Sequence, residues 1–186
     1  MAWIILAVLA ISILLVIGLY NTLVRLMVQT ENAWADINVQ LKRRHDLIPN
    51  LVETVKGYAG HEKQTLEAVI VARNRAISAT TPPTKAEAEG ILAQSLKSLF
   101  ALAEAYPQLR AVESFTQLQA SLNQIEEAVQ NARRYYNAVV RDLNTKIQEF
   151  PSNMIANSFS FRTREFFELT DVAERAVPNV SFEQTR

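Results

Sequence analysis

Residues 2 to 24 carry no charge, and from Ala2 to Tyr20 only Ser12 and Gly18 interrupt an apolar run. A helix that crosses a hydrocarbon core of roughly 30 Å needs about 20 such residues. Trp3 and Tyr20 stand near the two ends, about 26 Å apart at about 1.5 Å per residue, where amphipathic rings favour the headgroup region. The run predicts a membrane-spanning helix with Trp3 and Tyr20 at its interfaces. A cleaved signal peptide fits less well: no Lys or Arg precedes the stretch, and Leu19-Tyr20-Asn21-Thr22-Leu23 offers no small-x-small cleavage site. A buried core helix fits least, since such helices rarely run this far without a polar face. On the N-terminal side only the α-amino group is positive, whereas Arg25 and then Lys42, Arg43 and Arg44 follow the run. By the positive-inside rule the C-terminal side faces the cytoplasm.

Beyond the anchor the chain is long enough for one domain with its own core. The 19 Lys and Arg residues balance 19 Asp and Glu. That balance argues against a nucleic-acid partner, which calls for a basic face to meet phosphate. Lys42-Arg43-Arg44 is the main basic cluster and reads first as solvated surface. The absence of cysteine rules out disulfides in this sequence.

Prolines punctuate the rest, at Pro49, Pro82-Pro83, Pro107 and Pro151. Each removes a helix hydrogen bond and clashes one turn back, so each is expected to mark a helix boundary. Leu23, Met27, Thr30, Trp34, Ile37 and Leu41 form one apolar stripe that leaves the membrane segment without a breaker. Anchor and first soluble helix should form one rod, with Trp34 in the core. A second stripe follows Pro49, through Leu51, Val52, Val55, Tyr58, Ala59, Leu66, Val69, Ile70 and Ile77. The Thr80–Thr84 stretch reads as a loop, and Ile91, Leu92, Ser95, Leu96, Leu99, Phe100 and Ala103 mark the inward face of a third helix. Phe115, Leu118, Leu122, Ile125, Val129, Ala132, Tyr136, Val139 and Leu143 then alternate spacings of three and four. That is the seam of a long bundle or coiled-coil helix. No segment alternates with period two, so the expected fold is all-α: an N-terminal transmembrane helix continuous with a long antiparallel bundle. The segments are 1–24 (anchor), 25–149 (bundle) and 150–186 (a Phe-rich segment). A fourth helix over roughly residues 109–149, about 60 Å long, overhangs a third nearer 35 Å.

The last segment holds six of eight phenylalanines, with Arg162 and Arg164 among them. Phe159, Phe161, Phe166 and Phe167 therefore either meet the membrane interface or cap the open end of the bundle. Capping is the stronger reading, because Pro151, Asn153 and Asn157 interrupt any clean amphipathic helix. The hexapeptide Tyr20–Arg25 also echoes Tyr136–Arg141, which would give Asn21 and Asn137 equivalent places on two helices.

Catalytic chemistry finds little foothold. His45 and His61 are the two histidines, and neither follows a Glu by three residues as a di-iron bundle requires. His61-Glu62 lacks the second His of a zinc-protease helix. There is no Cys, nucleophile elbow or phosphate loop, so no cofactor or metal is expected. Arg43, Arg44, His45 and Asp46 form the densest polar cluster. If the chain turns at Pro49 they cap the first helix against its dipole, or present a partner-binding turn.

The runs Glu31-Asn32-Ala33-Trp34-Ala35-Asp36-Ile37, Gln40 to Ala59 and Ala132-Arg133-Arg134-Tyr135-Tyr136-Asn137, with Phe150-Pro151-Ser152-Asn153, resemble the LemA family. The resemblance covers nearly the whole chain; Leu143-Asn144 departs from the Tyr-Asn frequent there. It implies a bacterial inner-membrane protein with one span, a short N-terminus outside and a helical cytoplasmic domain. It implies no established catalysis, and relatives among magnetosome-membrane proteins lean it towards membrane organisation. The expected function is a self-assembling membrane-anchored scaffold, with the bilayer, further copies of itself and a membrane protein as partners. Two alternatives stand beside it: a membrane-remodelling coat, and an unrecognised enzyme or ligand sensor with a pocket in the bundle.

Overall fold

The apolar seam of the longest soluble helix organises the molecule. A computed structural model describes residues 1–168, in six helices: α1 (Ala2–Ala59), α2 (Lys63–Ser78), α3 (Pro82–Glu104), α4 (Pro107–Arg110), α5 (Glu113–Gln148) and α6 (Ser152–Ser158). The described residues contain no strand, and the fold is all-α. Along α5 the buried side chains are Phe115, Leu122, Ile125, Val129, Tyr136, Val139, Val140, Leu143 and Ile147. Nearly all of that stripe is legible from spacing, because positions three and four apart share one helical face.

α1 runs for 58 residues without a break, about 87 Å at about 1.5 Å per residue. The expected turn at Pro49 does not occur, and this corrects the second helix, since residues 49–59 belong to α1 and α2 begins at Lys63. The physical reason lies outside the helix. Pro49 has no N–H to offer the His45 carbonyl, which would otherwise be orphaned. Arg73 of α2 supplies the missing donor, its Nε–H reaching the His45 carbonyl at 2.8 Å. Boundaries at the other prolines form by local means. At α3, Thr81 and Thr84 exchange side-chain and backbone bonds in a capping box, with Pro82 in the first turn.

α5 lies antiparallel to α1 along its length: Arg44 meets Glu126, Trp34 stacks on Tyr136, and Leu23 packs with Leu143 and Ile147. α2 and α3 form a hairpin over the far part of this pair. There Ile48, Leu51, Val55, Leu66, Val69, Leu92, Leu99 and Phe115 share one core. With 16 and 23 residues, these helices are too short to follow α5 throughout. The overhang is filled by the chain returning on itself. After α6, Ser160 adopts φ 58° and reverses the path, and residues 161–168 climb back between α1 and α5. Phe167 closes the middle core with Ile37, Leu41, Ile125, Val129 and Val140, and Phe161 packs on the lower one.

Trp34 is less buried than the core place expected of it. It is half-buried, its ring against Tyr136 and Phe167 with centroids 5.4 and 5.9 Å apart. The echo of Tyr20–Arg25 in Tyr136–Arg141 gives no matching environments. Asn21 is exposed, whereas Asn137 holds the returning chain.

Candidate functional site

The four residues expected at a turn lie instead well inside α1, about four turns short of its end. They divide by helical face. Arg43 and Asp46 point to solvent, where Arg43 reaches Gln40 and Lys42 donates to Asp46 at 2.7 Å. That hydrogen bond from Lys42 holds the Asp46 carboxyl below its ordinary value. Arg44 and His45 point inward, each about 6% exposed. No helix end is near, so neither caps a dipole.

Two glutamates meet them. His45 Nε2 donates to Glu89 Oε1 at 2.7 Å, and Arg44 Nη1 bridges Glu89 at 3.4 Å and Glu126 at 3.1 Å. Gln130 donates to Glu126 at 2.8 Å, and Arg133 Nη1 donates to Gln130 at 3.2 Å. The Arg133 guanidinium then lies over the Phe167 ring, 5.3 Å from its centre. One polar chain thus links α1, α3, α5 and the returning segment. The recess beside it, lined by Arg44, Glu89, Glu126, Arg133 and Phe167, measures about 40 Å³, room for water and little else. Buried charges of this kind cost desolvation and contribute specificity of register more readily than stability.

The returning segment is held by a second polar device. Asn144 Nδ2 donates to the Arg164 carbonyl at 2.9 Å, and the Arg164 N–H donates back to Asn144 Oδ1 at 2.8 Å. Asn137 repeats the exchange with Phe167, at 3.1 and 2.9 Å. The geometry explains the spacing. Seven helical residues rise about 10.5 Å, and three extended residues span about 10 Å, so the two ladders stay in step. Tyr136 adds a bond from its hydroxyl to the Glu165 carbonyl at 2.9 Å. Burial pushes the Tyr136 phenol above its usual 10.0. Beside this strap opens a cleft of about 440 Å³, lined by Thr30, Glu31, Trp34, Pro82, Tyr136 and Arg164.

The residues expected at the membrane interface also separate. Trp3 is 83% exposed on the apolar run, and Tyr20 meets Phe159 at a tilt and Phe161 edge-on, with ring centroids 4.9 and 5.8 Å apart. Phe167 is buried, Phe161 and Phe166 are half-buried against the bundle, and Phe159 is 56% exposed. Phe182 lies outside the described residues. Spacing missed Glu89 and Glu126, which look like surface charges on amphipathic helices. It also missed Asn144 as a strap anchor; two Asn residues seven apart on one helix face were the available sign. Among the described residues no group of three His, Cys, Asp or Glu is placed to hold a metal ion, and no catalytic constellation is evident.

Magnetosome proteins MamQ 2 and MamQ 1 of Paramagnetospirillum magneticum are each 24% identical over 176 residues, covering 80% of this chain. The chain spans only 64% of the length of those two relatives. Protein LemA of Metamycoplasma hominis is 23% identical over 160 residues, covering 84% of this chain and 72% of its own. With residues 33–182 matching the LemA family model, a stretch that takes in the ionic cluster, both strap-anchoring asparagines and the strap, the chain belongs to the LemA family.

Proposed function

We propose that this protein is a membrane-anchored helical scaffold that self-associates, with no catalytic role. The apolar start of α1 spans the bacterial inner membrane with its N-terminus outside, and the bundle stands in the cytoplasm. One observation carries the reading. α1 is long and apolar enough to cross a membrane, no part of its most apolar 18-residue window is buried, and the same unbroken helix forms the spine of the bundle. An apolar surface of that size calls for lipid or protein around it. A rigid junction fixes how the bundle stands over the bilayer, and confinement to the plane raises the effective concentration of neighbouring copies. Two of the relatives carry the name of a magnetosome protein.

Two measurements test it. Protease added to intact spheroplasts should spare the bundle, and detergent-extracted protein should show a mass of more than one copy. Cleavage within residues 25–149, or a strictly monomeric mass across mild detergents, refutes orientation or self-association respectively. A ligand-sensing alternative is favoured by the cleft between Trp34, Tyr136 and Arg164. Saturable binding of a small molecule that Trp34→Ala abolishes would shift the reading to it.

A further inference from the structure

Not all of the aromatic C-terminal segment serves the core. Three large apolar side chains within ten residues remain outside it: Phe150 at 76% exposure, Met154 at 61% and Phe159 at 56%. They flank and include α6, whose inner side, through Ile155 and Ala156, packs on Leu23, Leu143 and Ile147. Among the described residues, nothing covers the outward-facing Phe150 and Met154.

Its height along α1 shows what lies opposite. Phe159 packs directly against Tyr20, the rings tilted with centroids 4.9 Å apart. The antiparallel register, with Arg44 against Glu126 and Trp34 against Tyr136, also brings the end of α5 and Phe150 down to the level of Tyr20. Arg25, the first charged side chain of α1, stands about 7 Å higher. The exposed apolar side chains are thus level with the uncharged run and below its first charge. The nearest acidic group, Glu149, is paired with Lys146 at 3.1 Å, which lowers the cost of holding it there.

We propose that α6 is a second membrane contact, with Phe150, Met154 and Phe159 inserted in the interfacial zone of the leaflet from which α1 emerges. The inference rests on α1 as a membrane span and adds to it a foot beside the span. Continuity identifies the occupant: α6 packs against the span itself at the depth where hydrocarbon gives way to headgroups, and aromatic rings favour that depth. With two contacts side by side, the bundle cannot tilt or rotate about α1 without pulling the foot from the lipid. The strap begins at that foot and ends at Phe167, against the ionic cluster. Foot and cluster are therefore joined by one short extended segment.

The chain has no cysteine, so a single one can be placed at will. The full-length protein carrying Met154→Cys or Phe150→Cys is nitroxide-labelled and reconstituted in vesicles of phosphatidylcholine and phosphatidylglycerol. Power saturation compares collision with dissolved oxygen and with a water-soluble nickel complex. Ala10→Cys reports the span, and Tyr135→Cys reports the aqueous bundle, about 22 Å above Tyr20 along the rod. The expected result is loss of nickel collisions and gain of oxygen collisions at both foot positions relative to Tyr135→Cys. Foot labels as water-accessible as Tyr135→Cys, with Ala10→Cys at bilayer depth, overturn the foot and leave the span standing. A water-accessible Ala10→Cys overturns the span, and the foot with it.

Discussion

Arg73 should be worth more to this protein than its half-exposed position suggests, because it replaces a backbone donor that Pro49 removes. Its Nε–H serves the His45 carbonyl at 2.8 Å. A charged donor to such a carbonyl contributes about 1.5–3 kcal/mol. Arg73→Met keeps the apolar stem and deletes the donor, so it should cost about that amount. For a chain of this size, a loss of 1 kcal/mol shifts Tm by about 2–4 °C, giving a fall of about 3–12 °C. Pro49→Ala restores the N–H and relieves the proline clash, and should stabilise by less than about 3 kcal/mol, since Arg73 already offsets part of the defect. The decisive measurement is the double-mutant cycle, by circular dichroism melting of the full-length protein in detergent. In the Pro49→Ala background the carbonyl has its own amide, and Arg73→Met then loses only a solvent-screened attraction to the exposed Asp46 carboxylate. A coupling of about 1–2 kcal/mol is expected. Additivity within about 0.5 kcal/mol would falsify the account of why α1 passes through a proline.

Three further outcomes follow from the buried polar contacts. Glu89→Ala should destabilise by about 3 kcal/mol in denaturant titration, because Arg44 and His45 lose a buried carboxylate while Arg44 keeps Glu126; an effect below about 1 kcal/mol would show the cluster to be open to water. Asn137→Ala strips the Phe167 backbone of both partners in a half-buried place and should cost about 1–3 kcal/mol. Faster tryptic cleavage at Arg162 and Arg164 checks whether the strap has come loose. Because burial raises the Tyr136 phenol above 10.0, its contribution is complete below about pH 10 and is lost as pH climbs through the folded-state value. Alkaline melting curves should therefore decline more gently in Tyr136→Phe, which removes the titrating group at a neutral-pH cost of about 0.5–1.5 kcal/mol; identical alkaline slopes in the two proteins contradict the assignment.

Local features carried far into this fold. The uncharged run of α1, the capping box at Thr81 with Pro82, and the Phe115-to-Leu143 stripe of α5 are each written within a few turns of helix. Their physics is short in range: hydropathy, a side chain reaching three residues on, and an apolar face repeating every three or four positions. That information identifies an all-α chain with one apolar rod. Tertiary structure decided where the rod ends, what Arg44 and His45 do, and where the phenylalanines go. Pro49 carries a local stop signal, and Arg73, 24 residues on in sequence, overrides it by supplying the absent donor. Glu89 is indistinguishable from Glu87 by charge or helix propensity. Its neighbour's side chain pairs at the surface with Arg75, whereas its own is 5% exposed between Arg44 and His45. The strap has no periodicity to read, since its backbone bonds go to asparagine side chains on a helix and not to another strand. A contact between residues 20 to 133 positions apart leaves no imprint on local spacing, and only the packed chain brings its two halves together.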